Sequence, residues 1–279
     1  MNILITGHRG FIGSELMNFY IKKKNVKLSL IDADLTNSFL VDNFFNRNKI
    51  DVVIHCAIRG GRRIKEDDFD VYKNNMRMFK NFYKNKHKFN FLISFGSAAE
   101  FNKKFHIENV SENDIGKNIP YDNYGVSKYI IQRYIENDSQ FLNLRIFNCF
   151  GKNETNDRFI KSNINNYFNK LPMTIFDDII MDFFSIEDLI KVVDYFVDRQ
   201  ASLCRSLNLC YQEKYKLSDI CSIINNLDSH KVEIKNMNMM KFNNYYGNGN
   251  LLNSIGFNFY GLKNSIERIY DNYKNKDKV

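Results

Sequence analysis

Nowhere in the 279 residues does an uninterrupted apolar run approach the roughly 18–20 residues that a bilayer-spanning helix needs, so no membrane segment is expected. The opening residues Met1–Thr6 carry no basic region followed by a long apolar core. No secretory signal is expected either, and the chain reads as cytoplasmic. Proline is almost absent, with Pro120 and Pro172 alone, so no Pro-rich linker divides the chain. Cysteines are few and odd in number (Cys56, Cys149, Cys204, Cys210, Cys221), and no two form a CxxC pair. That excludes a disulfide framework and a zinc site, and implies buried thiols in a reducing compartment. His55, His87, His106 and His230 are scattered without metal-ligand spacing and read as surface or packing residues, so no metal is expected.

The net charge of +8 is spread thinly. Dense lysine runs occur at Lys22–Lys24 and in the last few residues. The phenylalanines and tyrosines fall in core-forming runs rather than on a stacking platform for single strands. A solvated surface accounts for most of the charge. Any positive field suits a phosphorylated small molecule better than nucleic acid.

With 44% hydrophobic residues, the length suits one large domain or a domain with a lobe attached. Short apolar runs at Asn2–Thr6, Val26–Ile31, Asp51–Ala57, Phe89–Phe95 and Phe141–Phe147 read as strands. Amphipathic stretches at Phe11–Lys23, Leu40–Asn46, Asp70–Lys84 and Tyr124–Glu136 alternate with them as helices. Such alternation gives right-handed crossovers and a parallel sheet covered on both faces. The predicted fold class is therefore α/β, a Rossmann-like doubly wound parallel sheet with a smaller C-terminal substrate-binding lobe. After Gly151 the pattern loosens into helices at Arg158–Asn169, Ile186–Val197, Leu217–Leu227 and Leu262–Asn275, with an Asn-rich loop at Asn236–Asn250. The expected division is 1–151 for the dinucleotide and catalytic groups and 152–279 for the lobe. Part of 182–210 is expected to return to the sheet.

Three constellations carry chemistry. Gly7-His8-Arg9-Gly10-Phe11-Ile12-Gly13 follows the first strand and opens a helix. Gly7 permits the tight turn, Gly10 lets backbone N–H groups approach a diphosphate, and Gly13 lets the helix pack on the strand. A dinucleotide, NAD(P)(H), is the expected cofactor. Asp32 at the end of the second strand would hold an adenosine ribose and favour NAD, whereas Arg9 would pair with a 2′-phosphate and favour NADP. The choice stays open. Tyr124 and Lys128 stand at i and i+4 on one helical face, where an ammonium one turn away makes a phenol a usable general acid/base. Ser97 follows the fourth strand, at the carboxyl end of the sheet, with a hydroxyl for a substrate oxygen.

These motifs resemble the extended short-chain dehydrogenases/reductases that act on nucleotide sugars, the NAD-dependent epimerase/dehydratase family. The resemblance runs from Thr6–Gly13 through His55–Ala57, Asn75 with Asn81, Ser97, Tyr124/Lys128 and Leu144–Asn148. It continues to Asp182-Phe183, Asp188-Leu189 and Ile255–Phe257. Within the family, Gly7–Ser14 and Arg59–Gly61 look most like GDP-fucose synthases, which are NADPH-dependent 4-keto-sugar epimerase-reductases. The resemblance implies that Tyr124 shuttles the proton at sugar C4, Lys128 also holds the nicotinamide ribose, and Ser97 orients the C4 oxygen. It adds Cys56, Ala57 and Asn75 to the cofactor site with Gly7, Arg9, Gly10, Phe11, Ile12, Gly13 and Asp32. It places Asn148 near the substrate phosphates, and it implies a homodimer.

Departures narrow the chemistry. Family 4,6-dehydratases carry Asp-Glu where this chain has Ala98 and Ala99, and GDP-fucose synthases carry a Cys near Ala99 and a His near Lys152-Asn153. Neither set is present, so dehydration and C3/C5 epimerisation are not expected. Met181 stands where many members have an arginine that grips the diphosphate, leaving Arg158, Lys161 or Lys231 to substitute. The expected activity is reduction of the 4-keto group of a nucleotide-activated deoxysugar by NAD(P)H. A 4-epimerase with tightly bound NAD is the alternative, and a non-catalytic dinucleotide-binding regulator is the alternative of another class.

Overall fold

The protein is described here by a computed structural model that covers residues 1–61, 67–238 and 241–276. In chain order the elements are β1 (Asn2–Thr6), α1 (Phe11–Tyr20), β2 (Lys27–Leu30), α2 (Ser38–Arg47), β3 (Val52–His55), α3 (Phe69–Lys84) and β4 (Phe91–Ser97). Next come β5 (Ile107–Val110), α4 (Asn123–Glu136), β6 (Phe141–Ile146), β7 (Cys149–Phe150), α5 (Phe159–Phe168), β8 (Met173–Ile175) and β9 (Phe184–Ser185). The chain ends with α6 (Ile186–Arg199), β10 (Ser206–Leu209), α7 (Leu217–Asn225), β11 (Ile234–Asn236), β12 (Tyr245–Gly247), α8 (Asn250–Ser254) and α9 (Gly261–Lys276).

A six-stranded sheet runs in the order β2-β1-β3-β4-β6-β10. Its β1–β2, β1–β3, β3–β4 and β4–β6 pairs are parallel. The chain steps from β1 outward to β2, then returns to the other side of β1 for β3, which puts the topological switch between β1 and β3. In open α/β sheets, ligands bind beyond the carboxyl ends of the strands at this point. This is the doubly wound α/β fold that the alternating pattern predicts.

The strand interiors are apolar because both faces of the sheet are covered. On one face Leu4, Val53, Leu92 and Phe141 meet Phe79 and Phe82 of α3, together with side chains of α2 and α4. Phe79 is fully buried and its ring sits within about 6 Å of the Tyr83, Tyr134 and Phe141 rings. After α1, Lys23 reaches Asp194 of α6 at 2.5 Å. Each of α2, α3 and α4 begins at a capping side chain: Asn37, Asp68 and Asp122 accept hydrogen bonds from backbone N–H groups of the first turn.

Two compact units emerge, both discontinuous in sequence. One comprises Met1–Lys103, Glu112–Ile146 and Ile190–Leu207; the other comprises Lys104–Ser111, Phe147–Leu189 and Asn208–Val279. The second is built from short parallel pairs: β5 with β12, β8 with β11, and β7 with β9. The expected Asn236–Asn250 loop needs correction here, because β12 lies inside it and pairs with a segment well over 100 residues earlier. Met239 and Met240 of that loop, and the last lysine of the C-terminal run, Lys278, lie outside the described residues.

Within the second unit, Asp188 is completely buried, accepts a hydrogen bond from the Tyr211 hydroxyl at 2.6 Å, and takes the N–H groups of Tyr260 and Gly261 at the start of α9. Truncating Phe79 to Ala should cost about 3–5 kcal/mol of stability, from lost burial plus a cavity that its aromatic neighbours cannot fill. Urea unfolding of the purified variant measures it. A loss under about 1 kcal/mol would mean that this face of the sheet repacks freely.

Candidate active site

The glycine turn joins β1 to α1 by close backbone approach. Gly7 adopts φ +63°, and a Cβ there would lie 2.7 Å from the Ala57 nitrogen. Gly13 lies deeper: a Cβ on it would sit 2.2 Å from the Gly7 carbonyl oxygen. Thr6 Oγ1 hydrogen-bonds His55 Nδ1 at 2.9 Å and accepts the Ala57 N–H at 3.1 Å, stitching the end of β1 to the end of β3. His55 is therefore a core residue. Burial, aided by the nearby Lys128 charge, drives its pKa down to about 3, so the ring is neutral at physiological pH. Burial likewise pushes the Cys56 thiol well above its ordinary value and keeps it protonated.

Unlike α2, α3 and α4, α1 has no side-chain cap: its N-cap is Gly10, and no acidic residue stands in its first turn. The N–H groups of Phe11, Ile12 and Gly13 form a positive helix end with no side-chain cap, the environment that a diphosphate fits. At the rim, Arg9 Nη2 lies 2.9 Å from Asp32 Oδ1 and His8 Nε2 lies 3.4 Å from it, with Arg9 and Asp32 both exposed. These residues fit a dinucleotide.

Tyr124 and Lys128 lie on α4, where Asp122 sets the start of the helix. The Lys128 Nζ is buried, donates to the Phe95 carbonyl, and sits 5.8 Å from the centre of the Tyr124 ring. Burial lowers the Lys128 pKa to about 8, with Glu100 and Cys56 acting in the opposite sense. Gly61 lies flat on Tyr124, since a Cβ there would be 2.7 Å from the phenol ring. Asn75 fixes this approach. Its side chain accepts from Arg59 N–H at 2.9 Å and donates to the Arg59 carbonyl at 3.0 Å. It also reaches Ser127 Oγ at 3.3 Å, and Ser127 in turn donates to the Tyr124 carbonyl. Asn75 is thus placed beneath the loop that covers Tyr124.

Ser97 closes β4. Its Oγ accepts the Ala99 N–H at 3.2 Å, and its own N–H donates to Glu100 at 2.9 Å, a capping box at the start of a short 3₁₀ turn. Ser97, Tyr124, Lys128 and the glycine turn all belong to the first unit. Asn148 and Arg158 belong to the second. Asn148 Nδ2 donates to the Asp182 carbonyl at 2.8 Å. Of the three cations weighed as a phosphate grip, Lys161 is buried on the Lys152 carbonyl and Lys231 holds Asn225 and Asn226. Arg158 is exposed, at the N-cap of α5. The motifs do not point to the buried Glu100 or to its partner Arg145 as site residues. The signal for both is a lone charge inside an apolar run, Phe91–Phe101 and Phe141–Phe147.

The model of the NAD dependent epimerase/dehydratase family matches residues 3–210 of the chain. No curated protein sequence matches it. Among solved structures, a GDP-mannoheptose C4 reductase from Campylobacter jejuni with NADP bound superposes with a TM-score of 0.82 at 17% identity, covering 98% of each chain. A UDP-glucuronic acid 4-epimerase from Bacillus cereus in complex with NAD gives 0.80 at 21% identity, covering 99% of this chain and 100% of that one. A GDP-L-fucose synthetase from Naegleria fowleri gives 0.79 at 15%, covering 100% and 94%. At these identities the likeness is one of fold. No helix among the described residues is long and apolar enough to cross a membrane.

Replacing Gly13 with Ala should force α1 off the Gly7 carbonyl at a cost of about 1–3 kcal/mol, and should weaken binding of NADH or NADPH, whichever the parent binds more tightly. Titration of the reduced cofactor's fluorescence and thermal unfolding report the two effects. A variant that binds that cofactor as tightly as the parent would remove the turn from the cofactor site.

Proposed function

The chain belongs to the NAD dependent epimerase/dehydratase family, and from that premise we propose that it is an NAD(P)-dependent reductase of the C4 keto group of a nucleotide-activated deoxysugar. The observation that carries this reading is the buried Lys128 one helical turn from Tyr124, its ammonium on the Phe95 carbonyl near the end of β4, the strand that Ser97 closes. A nicotinamide dinucleotide, when bound, supplies the hydride. Phe11, Ile12 and Gly13 offer its diphosphate the open N-terminus of α1. Lys128 stabilises the phenolate form of Tyr124 and so lowers the barrier to moving its proton. Tyr124 protonates the oxygen forming at C4, and the Ser97 hydroxyl orients that oxygen. Ala98 and Ala99 hold no proton to transfer, which confines the chemistry to C4.

The first unit is proposed to hold the dinucleotide and the second the nucleotide sugar, with Asn148 and Arg158 reading its phosphates. Arg158 is the candidate because it is exposed at the start of α5, with its charge acting on the nearby Glu154, whereas Lys161 and Lys231 donate to protein carbonyls. The solved C4 reductase supports reduction, while Asp32 and the solved 4-epimerase support a second reading with retained NAD. The family likeness further supports a cytoplasmic homodimer that acts on a nucleoside-diphosphate sugar rather than nucleic acid.

Cofactor choice is assigned to the Arg9–Asp32 pair. A 2′-phosphate draws Arg9 away from Asp32, whereas an unmodified ribose leaves the carboxylate to accept its hydroxyl hydrogen bonds. Arg9→Ala should raise the KM for NADPH about tenfold, the loss expected for one charge-assisted contact, and leave that for NADH nearly unchanged. Equal effects on the two cofactors would defeat this assignment.

Tyr124→Phe should lower turnover by about 10²–10⁴-fold, the range for a general acid, while cofactor binding stays nearly intact. The assay mixes purified protein with 4-keto deoxysugar nucleotides and follows NADPH or NADH absorbance, after any bound cofactor has been released and identified. Steady consumption identifies a reductase; stoichiometric bound NAD with no net consumption identifies a 4-epimerase. Full activity in Tyr124→Phe would overturn both.

A further inference from the structure

Glu100 and Arg145 are completely buried and face each other, with Arg145 Nε donating to Glu100 Oε2 over 2.8 Å. The second oxygen, Oε1, accepts the Ser97 N–H at 2.9 Å and Asn143 Nδ2 at 3.3 Å. Asn143 also donates to Gln132 of α4 at 2.5 Å. Gly96 leaves the space this requires: a Cβ there would sit 2.5 Å from both Glu100 Oε1 and Asn143 Oδ1. The Arg145 guanidinium lies 4.9 Å from the centre of the Phe101 ring. Desolvating two such charges is costly, and an apolar pair of similar volume is often as stable. Stability alone gives no reason for the pair.

Its position gives one. Lys128 is anchored on the Phe95 carbonyl, two residues before Ser97, so the end of β4 binds both the ammonium and, through Ser97, the carboxylate. Among the described residues, the titratable and charged groups around Lys128 are His55 at the end of β3, Cys56 just after it, Tyr124 on its own helix, and Glu100 with Arg145. Burial keeps His55 and Cys56 neutral at pH 7. Glu100 is then the anion that acts on Lys128 among the described residues.

We propose that Glu100 is a positioning residue of the reductase site: held by Arg145, it fixes the backbone of Ser97 and supplies the negative field felt by the Lys128 ammonium. The inference rests on the roles given to Ser97, Tyr124 and Lys128 under the proposed function. Lys128 assists Tyr124 only while charged. Its folded pKa, lowered by burial, therefore sets an alkaline limb in the pH profile of turnover, and loss of Glu100 lowers that pKa further.

Glu100→Gln keeps the shape of the side chain and an acceptor for Ser97 while removing the charge. In the full chain, the alkaline limb of kcat/KM for a 4-keto deoxysugar nucleotide should move to lower pH by about one unit, the effect of losing one nearby opposite charge. Because the single change leaves Arg145 buried without its counter-charge, the neutral pair Glu100→Gln/Arg145→Gln is measured beside it; loss of the Arg145 charge opposes loss of the Glu100 charge at Lys128, so a smaller shift in the same direction is expected. An unmoved limb in either folded variant, with only the Tm lowered, would overturn the proposal and leave the pair a structural one. Failure of the site reading is separately visible, as full activity in Tyr124→Phe.

Discussion

Everything proposed for this chain depends on how closely three stretches of backbone approach one another at the switch between β1 and β3. Gly7 lies against the Cys56–Ala57 backbone, Gly13 lies against the Gly7 carbonyl, and neither position has room for a Cβ. The consequence is electrostatic as well as steric. A helix whose first turn carries neither a side-chain cap nor an acid leaves its orphan N–H groups and positive dipole end to a ligand. The neighbouring helices spend Asn37, Asp68 and Asp122 on the same task internally. The one helix start in the sheet's first crossovers that is left uncapped is the one aimed at the switch point.

A second tension runs through the end of β4. Burying Lys128 brings its ammonium beside the Tyr124 ring in a low-dielectric setting, where its influence on the phenol is greatest. The same burial pulls its pKa to about 8, near the limit at which it still carries charge in neutral solution. The Glu100 carboxylate acts against that fall, but a buried carboxylate needs its own counter-charge, hence Arg145, and needs space, hence Gly96. Ser97, Glu100, Arg145 and Lys128 are thus consequences of one requirement rather than separate features.

Much of this was legible in the sequence, and for a physical reason. Parallel strands buried on both faces read as continuous apolar runs and their crossover helices as amphipathic ones, so β1, β3, β4, β6, α3 and α4 are placed to within a few residues by local pattern alone. The glycine turn and the Tyr124/Lys128 spacing are local too. What escaped depends on partners distant in sequence. β12 exists because it pairs with β5, and nothing within the Asn-rich stretch around it announces that. Asn75 is legible as a motif position, but its work of holding Arg59 so that Gly61 covers Tyr124 is legible only in three dimensions. Glu100 and Arg145 left a trace, opposite charges each alone within an apolar run, whose meaning appears only once β4 and β6 are seen to be neighbours.

The substrate side follows the same logic of paired charge. Met181, which replaces the arginine common in such enzymes, is buried beside β12. Its neighbour Asp182 is buried too, and desolvation raises its pKa to about 6 even though Lys214 binds both of its oxygens and Gly247 donates its N–H. Lys214 is committed further to the Tyr211 carbonyl. Lys214, the cation bound to the residue after Met181, is therefore committed to joining Asp182 to the segment after β10. An incoming diphosphate that took Lys214 would leave a buried carboxylate without its partner, a loss of several kcal/mol. The proposed grip on the substrate phosphates accordingly moves to the exposed Arg158. An exposed guanidinium in high-dielectric surroundings attracts phosphate more weakly and with greater sensitivity to salt than a buried one. On the proposed reading, recognition shifts from the diphosphate, which nucleoside-diphosphate sugars share, toward the sugar and base that distinguish them.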